Sequence, residues 1–318
     1  MFREDDGMAN FAYGMTQWAP FRDKGECDRV RSIKKEDLTA HKNPDFKIEI
    51  VSDDQFAFRR VWDIFFRIKT AADEEQKLVL ILPQPHPQYR KVAFLINKFR
   101  VNCKRLVTFN MDEWADEEGI IAPETWPRGF MYAMKNNFYA LIDPDLRPPE
   151  KQILGPNNLN LGDYGRMIED EGGADVCYGG IGWSGHLAFI DPHAPEFKGS
   201  LEEWRSMGPR IVTLHPFTIA QCCLDPDFGM SGDWSWVPPK GATIGPAQIL
   251  GAKLRSSWNP FTIAGTPVSW QRFTVRLAAH GPVTQSVPAS MLQTCRTDMY
   301  ISETIAANIE EHGELSWY

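Results

Sequence analysis

The sequence predicts an α/β protein with a doubly wound, mostly parallel sheet and helices on both of its faces. Short apolar runs typical of buried strands, such as LVLIL and LVTF, alternate with helical segments in the first half of the chain. Polar clusters follow LVLIL, LVTF and DVCY. In a parallel sheet these positions fall at the carboxyl ends of strands, where ligands bind.

The first elements follow from local patterns. Residues 1–45 are polar and irregular, which predicts an N-terminal extension laid over a single α/β domain at 46–318. Asp53 and Asp54 can cap a helix whose apolar residues recur at helical spacing. The segment HPQYRKVAFLINKFR predicts a second helix, between the strands LVLIL and LVTF. Another helix is expected near 127–141, ahead of the strand ADVCYGG.

The second half of the chain gives weaker patterns. The segments RIVTLHPFTIA and GATIGPAQIL predict strands, or strands followed by turns. A strand, a turn and a helix are expected within NPFTIAGTPVSWQRFTVRLAAHG. Near the end, ISETIAANIEEHG has a helix-start signal at Ser302 and predicts a closing helix.

Bulk composition argues against several classes of function. The formal net charge is −8 and there is no run of Lys and Arg, which argues against nucleic acid as a partner. No segment approaches the roughly 18 to 20 apolar residues of a membrane span, and the acidic N-terminus lacks an apolar signal segment. A cytoplasmic location is therefore expected. His193 and His215 lack the spacing of a ligand cluster, so no metal site is predicted.

The first motif with chemical potential is TFNMDEW, residues 108–114. Asp112 and Glu113 follow directly on an apolar strand, and because side chains alternate along a strand, only one of them can face a cleft. A partly desolvated carboxylate at a strand's carboxyl end suits a general base. Adjacent acids also commonly begin a loop or cap a helix, so both interpretations stay open.

The second motif is GGIGWSGHLAFIDP, residues 179–192. His186 is followed five residues later by Asp191, and a histidine with a nearby carboxylate is the usual arrangement of a proton shuttle. A purely structural histidine is the alternative. Four glycines precede His186 and permit close approach of the backbone to a ligand: Gly179, Gly180, Gly182 and Gly185.

Together the two motifs resemble those of the glucosamine-6-phosphate deaminase/isomerase family. TFNMDEW looks like the family's TFNMDE(Y/W), and GGIGWSGHLAFIDP resembles GG(I/V)GxDGHIAFNEP, in the same order and about seventy residues apart. The resemblance implies a Rossmann-like fold and an aldose–ketose isomerisation coupled to amine release, without a cofactor. It assigns Asp112 the proton transfer between C1 and C2 of the open-chain sugar. It assigns His186, assisted by Asp191, the opening of the pyranose ring.

The resemblance also implies a sugar or sugar phosphate as the ligand, a role in amino-sugar metabolism and a homo-oligomer. The residues expected around the substrate lie in the two motifs and in the loop after LVLIL. They are Glu113, Gly180, Gly182, Trp183, Ser184, Gly185, His86, Arg90 and Lys91.

Several residues depart from the family's pattern. Ser184 stands in place of the acid of G-x-D-G-H, and Asp191 in place of a glutamate. The segment LPQPHPQYRK replaces a glycine-rich phosphate loop, roughly LPTGGTP, and proline has no N–H to offer an anion. The family's phosphate-binding Arg and Lys fall near Ile219 or Leu224 and near Val268. These changes predict an altered or unphosphorylated substrate.

Arg90, Lys91 and His86 could hold a phosphate with their side chains, or could simply begin a solvated helix. Two other functions remain as alternatives. A hydrolase similar to 6-phosphogluconolactonases would share a related fold and glycine-rich loop, although the NMDE segment argues against it. A sugar-binding or sensing protein without turnover would instead stack aromatic side chains such as Trp183 on its ligand.

Overall fold

A computed structural model describes residues 13–84 and 87–310. In chain order its helices are α1 (Lys24–Arg31), α2 (Asp53–Asp73), α3 (Gln88–Lys98), α4 (Phe130–Asn137), α5 (Tyr164–Asp170), α6 (Leu201–Arg205), α7 (Pro216–Cys222), α8 (Pro246–Gly251), α9 (Gln271–His280) and α10 (Glu303–Ala306). Its strands are β1 (Phe46–Val51), β2 (Leu78–Leu82), β3 (Leu106–Asn110), β4 (Asp112–Ala115), β5 (Ile153–Leu154), β6 (Val176–Gly179), β7 (Arg210–Thr213), β8 (Lys240–Thr243), β9 (Leu254–Asn259) and β10 (Thr297–Ser302).

Seven strands form the main sheet in the order β1-β10-β9-β6-β2-β3-β5. All six neighbouring pairs are parallel. The predicted α/β fold with a parallel sheet is therefore confirmed. A second sheet was not predicted: β4, β8 and β7 form three antiparallel strands beside the carboxyl edge of the first sheet.

Helices cover both faces of the main sheet, as the pattern predicts. Successive residues of β2 alternate between two hydrophobic clusters, with Val79 and Ile81 in one and Leu78, Leu80 and Leu82 in the other. Helices α5 and α9 contribute to the first cluster, and α2 and α3 to the second. Because both faces are buried, the strand has no polar side and reads as a continuous apolar run.

Three local expectations need correction. The segment predicted as irregular contains α1, which Asp23 caps by accepting the N–H of Glu26, and Val30 is buried in the core. The strand expected in NPFTIA lies earlier, as β9. Up to residue 310, where the description ends, the predicted closing helix is only the short α10, and Ile301 and Ser302 of the predicted segment belong to β10.

The closing helix was predicted too early because strand periodicity and helical periodicity meet at this point of the sequence. The alternating residues of TDMYIS pair β10 with both β1 and β9, and only after Ser302 does the chain turn helical.

None of the helices in ranges 13–84 and 87–310 has the length and apolar character needed to cross a bilayer.

Candidate active site

A cavity of about 360 Å³ opens at the carboxyl edge of the main sheet. The residues that follow four adjacent strands line it: Pro83 and Gln84 after β2, Asp112 after β3, Gly180 after β6 and Pro260 after β9. The polar clusters that follow β2, β3 and β6 therefore meet at one place, as the sequence predicts for a parallel sheet.

Asp112 enters this cavity where the chain leaves one sheet for the other. Its predecessor Met111 donates its N–H to the carbonyl of Leu82 in the main sheet (2.8 Å) and accepts the N–H of Ile244 after β8 (2.9 Å). Asp112 then pairs with Thr243 in the antiparallel sheet. Burial, and secondarily the charge of Glu113, raises the pKa of Asp112 well above its ordinary value. A carboxylate with a raised pKa is a stronger base.

Glu113 points away from the cavity, as alternation along β4 requires. Its carboxylate accepts the backbone N–H groups of Trp114 (2.9 Å), Phe130 (3.0 Å) and Met131 (2.8 Å). Two of these donors belong to the first turn of α4, where free N–H groups need an acceptor. Burial raises the pKa of Glu113 to about 7, and the three N–H donors oppose that rise. The structure places Glu113 at the N-terminus of α4, not among the residues that line the cavity.

Replacing Glu113 with alanine is expected to destabilise the fold by about 1–3 kcal/mol at pH 5, because three buried backbone N–H groups lose their acceptor. Urea denaturation of Glu113→Ala and wild type, at a pH below the raised pKa of Glu113, measures the difference. The matched control is Glu150→Ala, whose carboxylate pairs with Lys135 on the surface and should contribute at most about 1 kcal/mol. Equal stability of wild type and Glu113→Ala would contradict the capping role.

His186 lines the same cavity as Asp112, and its Nδ1 atom faces a buried hydrogen-bond cluster. Nδ1 lies 2.9 Å from the Ser184 hydroxyl, 2.9 Å from the Thr218 hydroxyl and 3.3 Å from Asp191 Oδ1. Both hydroxyls donate to Asp191 Oδ1, at 2.7 and 2.6 Å. The second carboxylate oxygen of Asp191 accepts the N–H of His215 (2.8 Å).

The hydrogen-bond directions fix the tautomer of His186. Each hydroxyl uses its single proton on Asp191, so its oxygen can only accept from Nδ1. The proton of the neutral imidazole therefore sits on Nδ1, and Nε2 keeps its lone pair. Burial alone would raise the pKa of Asp191, but hydrogen bonds and charge from His186, together with those from Thr218 and His215, lower it. Asp191 is thus held as an anion behind the histidine.

The glycine loop fits tightly around this histidine. A Cβ on Gly182 would lie 2.0 Å from Nε2 of His186, and one on Gly180 would lie 2.8 Å from the carbonyl oxygen of Trp258. Gly185 has a φ of +83°, a conformation that favours glycine. Gly180 and Gly182 line the cavity, whereas Gly185 shapes the turn that delivers His186.

The loop is also fastened to the small sheet. Phe189, three residues after His186, donates its backbone N–H to the hydroxyl of Thr243 in β8 (3.2 Å). Thr243 is the residue that pairs with Asp112. The two motifs are therefore joined through one residue of β8.

Trp183 lies on a second cavity of about 580 Å³, which is mainly apolar. Its ring stacks on Trp270 with centroids 5.5 Å apart and lies 5.6 Å from the ring of Phe217. Ser184 also lines that second cavity, while Trp270 lines both. The structure therefore does not bring the Trp183 ring to the cavity that holds Asp112.

Three basic residues after β2 were predicted to bind substrate: His86, Arg90 and Lys91. Arg90 and Lys91 are exposed on α3, and Arg90 donates to the side chain of Asn137 (2.5 Å). Neither lines the cavity of Asp112 and His186. His86 lies outside the described residues. The solvated helix start is the interpretation that agrees with Arg90 and Lys91.

Sequence analysis missed two residues of this site. Thr218 lies 32 positions after His186, in α7, and nothing in PFTIA distinguishes its hydroxyl from that of a core threonine. Arg60 lies in α2, far from either motif, and lines the cavity. No group of three or more His, Cys, Asp or Glu side chains within 13–84 and 87–310 is arranged to hold a metal ion.

Comparison with curated proteins finds glucosamine-6-phosphate deaminases, although no family model matches the chain. The protein of Fusobacterium nucleatum is 30% identical over 186 residues, which cover 56% of this chain and 61% of its own. That of Caenorhabditis elegans is 31% identical over 59% of this chain and 65% of its own. These matches span less than two thirds of either relative. The protein of Mannheimia succiniciproducens is 31% identical over 216 residues, which cover 65% of this chain and 73% of its own.

Solved structures share the fold. A monomeric glucosamine-6-phosphate deaminase superposes with a TM-score of 0.61 at 21% identity, covering 82% of this chain and 98% of the other. A 6-phosphogluconolactonase from Leishmania guyanensis superposes with a TM-score of 0.56 at 11% identity, covering 83% of this chain and 98% of the other. At these identities the likeness establishes the architecture alone.

Proposed function

The chain belongs to the glucosamine-6-phosphate deaminase family, and from that premise we propose that it is an enzyme of amino-sugar metabolism that isomerises and deaminates an amino sugar. One observation supports this proposal above the others. Asp112 and the Nε2 side of His186 share one cavity, while Nδ1 of His186 is tied to Asp191 behind it.

In the proposed reaction, His186 acts first on the ring form of the sugar. Its Nε2 lone pair accepts the proton of the anomeric hydroxyl, and the imidazolium then delivers a proton to the ring oxygen as the ring opens. Asp191 stabilises the transient positive charge through Nδ1 and the two hydroxyls. Ser184 therefore supports the histidine through a hydroxyl where the family has a carboxylate.

Asp112 then removes the proton from C2 of the open-chain amino-aldose and returns it to C1, while one proton of the amino group passes to the C1 oxygen. The product of this transfer is an imine at C2, which water hydrolyses to a ketose and ammonia. Burial of Asp112 raises its pKa and so strengthens it as a base toward a weakly acidic C–H group. The cavity walls shield the carboxylate from bulk water, since it is only 6% exposed.

The test is a screen of amino sugars and their phosphates for ammonia release in deuterated water, with deuterium at C1 and C2 followed by NMR, and of sugar lactones for hydrolysis. Ammonia release with solvent deuterium in the product is the expected result. Sugar binding without either signal would instead identify a protein that binds sugar without turnover. Hydrolysis of a sugar lactone in place of deamination would identify the hydrolase alternative.

The hydroxyl bridge behind His186 predicts a non-additive pair of substitutions. In Ser184→Ala the Thr218 hydroxyl still links Nδ1 to Asp191, and in Thr218→Val the Ser184 hydroxyl still does so. Each single variant is expected to lower kcat/KM less than about tenfold. The double variant leaves only the direct 3.3 Å approach to Asp191, so its loss should exceed the product of the single losses, with a coupling of about 0.5–3 kcal/mol.

A control for this cycle is Thr297→Val at the start of β10, which removes a buried hydroxyl that donates to the carbonyl of Leu292. It should leave kcat/KM unchanged. Losses in the double variant that simply multiply would mean that the two hydroxyls act independently, and the shared bridge would be wrong.

A further inference from the structure

Arg60 is a buried charge that the proposed reaction does not use. It belongs to α2, it is 4% exposed, and it lines the cavity that contains Asp112 and His186. Pro83 and Gln84, the residues that replace the start of the glycine-rich phosphate loop, line the same cavity. A guanidinium therefore lies where the loop has lost its backbone donors.

This guanidinium lacks an ion-pair partner in the described part of the chain. Its Nε and Nη2 atoms are buried and form no hydrogen bond of ordinary geometry with a described residue, and the neutral hydroxyl of buried Tyr89 is the group that acts on the guanidinium most directly. The carboxylate of Asp63 acts on Arg60 electrostatically but binds elsewhere: it accepts two hydrogen bonds from Arg67 (2.9 and 3.1 Å) and one from the Tyr178 hydroxyl (2.6 Å).

The other acids of the cavity do not neutralise Arg60 either. Asp112 and Asp225 line the cavity, and within the described residues neither lies within 4.0 Å of a guanidinium nitrogen of Arg60. A buried arginine without a carboxylate is costly in free energy, and native proteins rarely retain one without a ligand or a partner. Its planar donors match the oxygens of a phosphate in a bidentate arrangement.

We propose that Arg60 binds the phosphate of a phosphorylated amino sugar, in place of the backbone donors that the proline-containing segment after β2 removes. The assignment rests on the proposed function for the identity of the sugar, but not for the anion. It changes the expectation drawn from the sequence: the substrate keeps its phosphate, and the protein holds it with a side chain from α2.

The experiment compares wild type, Arg60→Met and Arg60→Lys in binding to glucosamine 6-phosphate, glucosamine and inorganic phosphate by calorimetry. Loss of charge-assisted bonds is expected to weaken binding of glucosamine 6-phosphate about 10- to 100-fold in Arg60→Met. Binding of glucosamine should change less than about twofold. Arg60→Lys keeps the charge but loses the bidentate geometry, so it should fall between the two.

Thermal unfolding without ligand separates a binding role from a structural one. Methionine fills the path of the arginine stem and removes an unpaired buried charge, so Arg60→Met should unfold at the same temperature as wild type or a higher one. Addition of inorganic phosphate should raise the Tm of wild type and not that of Arg60→Met. The matched control is Arg59→Met, which removes an exposed arginine paired with Glu49 (2.8 Å) and should alter neither binding nor phosphate stabilisation.

Failure of this assignment is distinguishable from failure of the proposed function. If Arg60→Met binds both sugars as wild type does, or loses both equally, the phosphate assignment is overturned even where ammonia release continues. If no sugar supports ammonia release, but phosphate-selective binding disappears in Arg60→Met, the assignment stands and the reaction is wrong. A lower Tm in Arg60→Met with no loss of phosphate selectivity would make Arg60 structural.

Discussion

Replacing Asp112 with asparagine is expected to lower the rates of ammonia release and of carbon-bound proton exchange by about 10²–10⁴-fold, the contribution typical of a positioned general base. Asparagine keeps the size of the side chain and loses the proton acceptor. In wild type the rate should rise with pH through the raised pKa of Asp112, because only the ionised carboxylate accepts a proton. Asp112→Asn should show no such rise.

The same substitution is expected to stabilise the fold, in the direction opposite to its effect on activity. The folded pKa of Asp112 lies above its unfolded value of about 3.9, so the fold loses stability as pH rises from the unfolded pKa to the folded one, because over that range only the unfolded chain gives up the proton. Asparagine never ionises. The Tm difference between Asp112→Asn and wild type should therefore increase as the pH rises above about 4, and level off once the folded carboxyl has also ionised.

Asp163→Asn is the control for both measurements, since Asp163 forms a surface ion pair with Arg166 (2.8 Å) and neither residue lines the cavity. It should leave the rate unchanged and alter stability by no more than about 0.5 kcal/mol. Full exchange activity in Asp112→Asn would show that another group is the base. A Tm difference that shrinks with rising pH would show that folding does not raise the pKa of Asp112.

Replacing Gly182 with alanine is expected to reduce activity as strongly as removing the imidazole of His186. The added methyl would lie 2.0 Å from Nε2, 2.1 Å from Cε1 and 2.5 Å from Cδ2, within the space that the ring occupies. The φ of Gly182 lies outside the left-handed region, so the backbone itself accepts alanine. The ring must turn away, and its contacts with Ser184 and Thr218 break.

Steady-state kinetics of Gly182→Ala, His186→Gln and the double variant measure this effect. We expect losses of similar size in all three, because each removes the same group from the same place. Gly162→Ala is the control, since a Cβ there meets nothing within 4 Å. Retained activity in Gly182→Ala, or a double variant far worse than either single one, would mean that the ring is not confined by the loop.

The main sheet was predictable because its signals are local. Buried strands such as β2 and β3 are continuous apolar runs, and α2 and α3 carry apolar residues at helical spacing. The pairing of the small sheet was not predictable: β7 and β8 lie in segments predicted as strands, but β4, β7 and β8 have only four residues each and pair across long stretches of sequence. Such strands are defined by their partners more than by their own residues.

The residues of the site also fall into those that local sequence predicted and those that it did not. The placement of Asp112 and His186 at one cavity followed from two contiguous motifs at strand ends. Alternation also indicated that only one member of the Asp112–Glu113 pair could face a cleft, although the sequence could not show that Glu113 caps α4. Thr218 and Arg60 reach the site from helices elsewhere in the chain. The local sequence around a single hydroxyl or arginine in an amphipathic segment does not indicate where that side chain lies in the fold.

The join through Thr243 sets a lower limit on the functional unit of this chain. Both motifs lie before residue 193, yet the residue that pairs with Asp112 and holds the backbone after His186 lies in β8, at Lys240–Thr243. A truncated chain ending before Lys240 would contain both motifs and would lack the strand that spaces them. Intact motifs in a fragment of this kind are therefore not sufficient for an assembled active site.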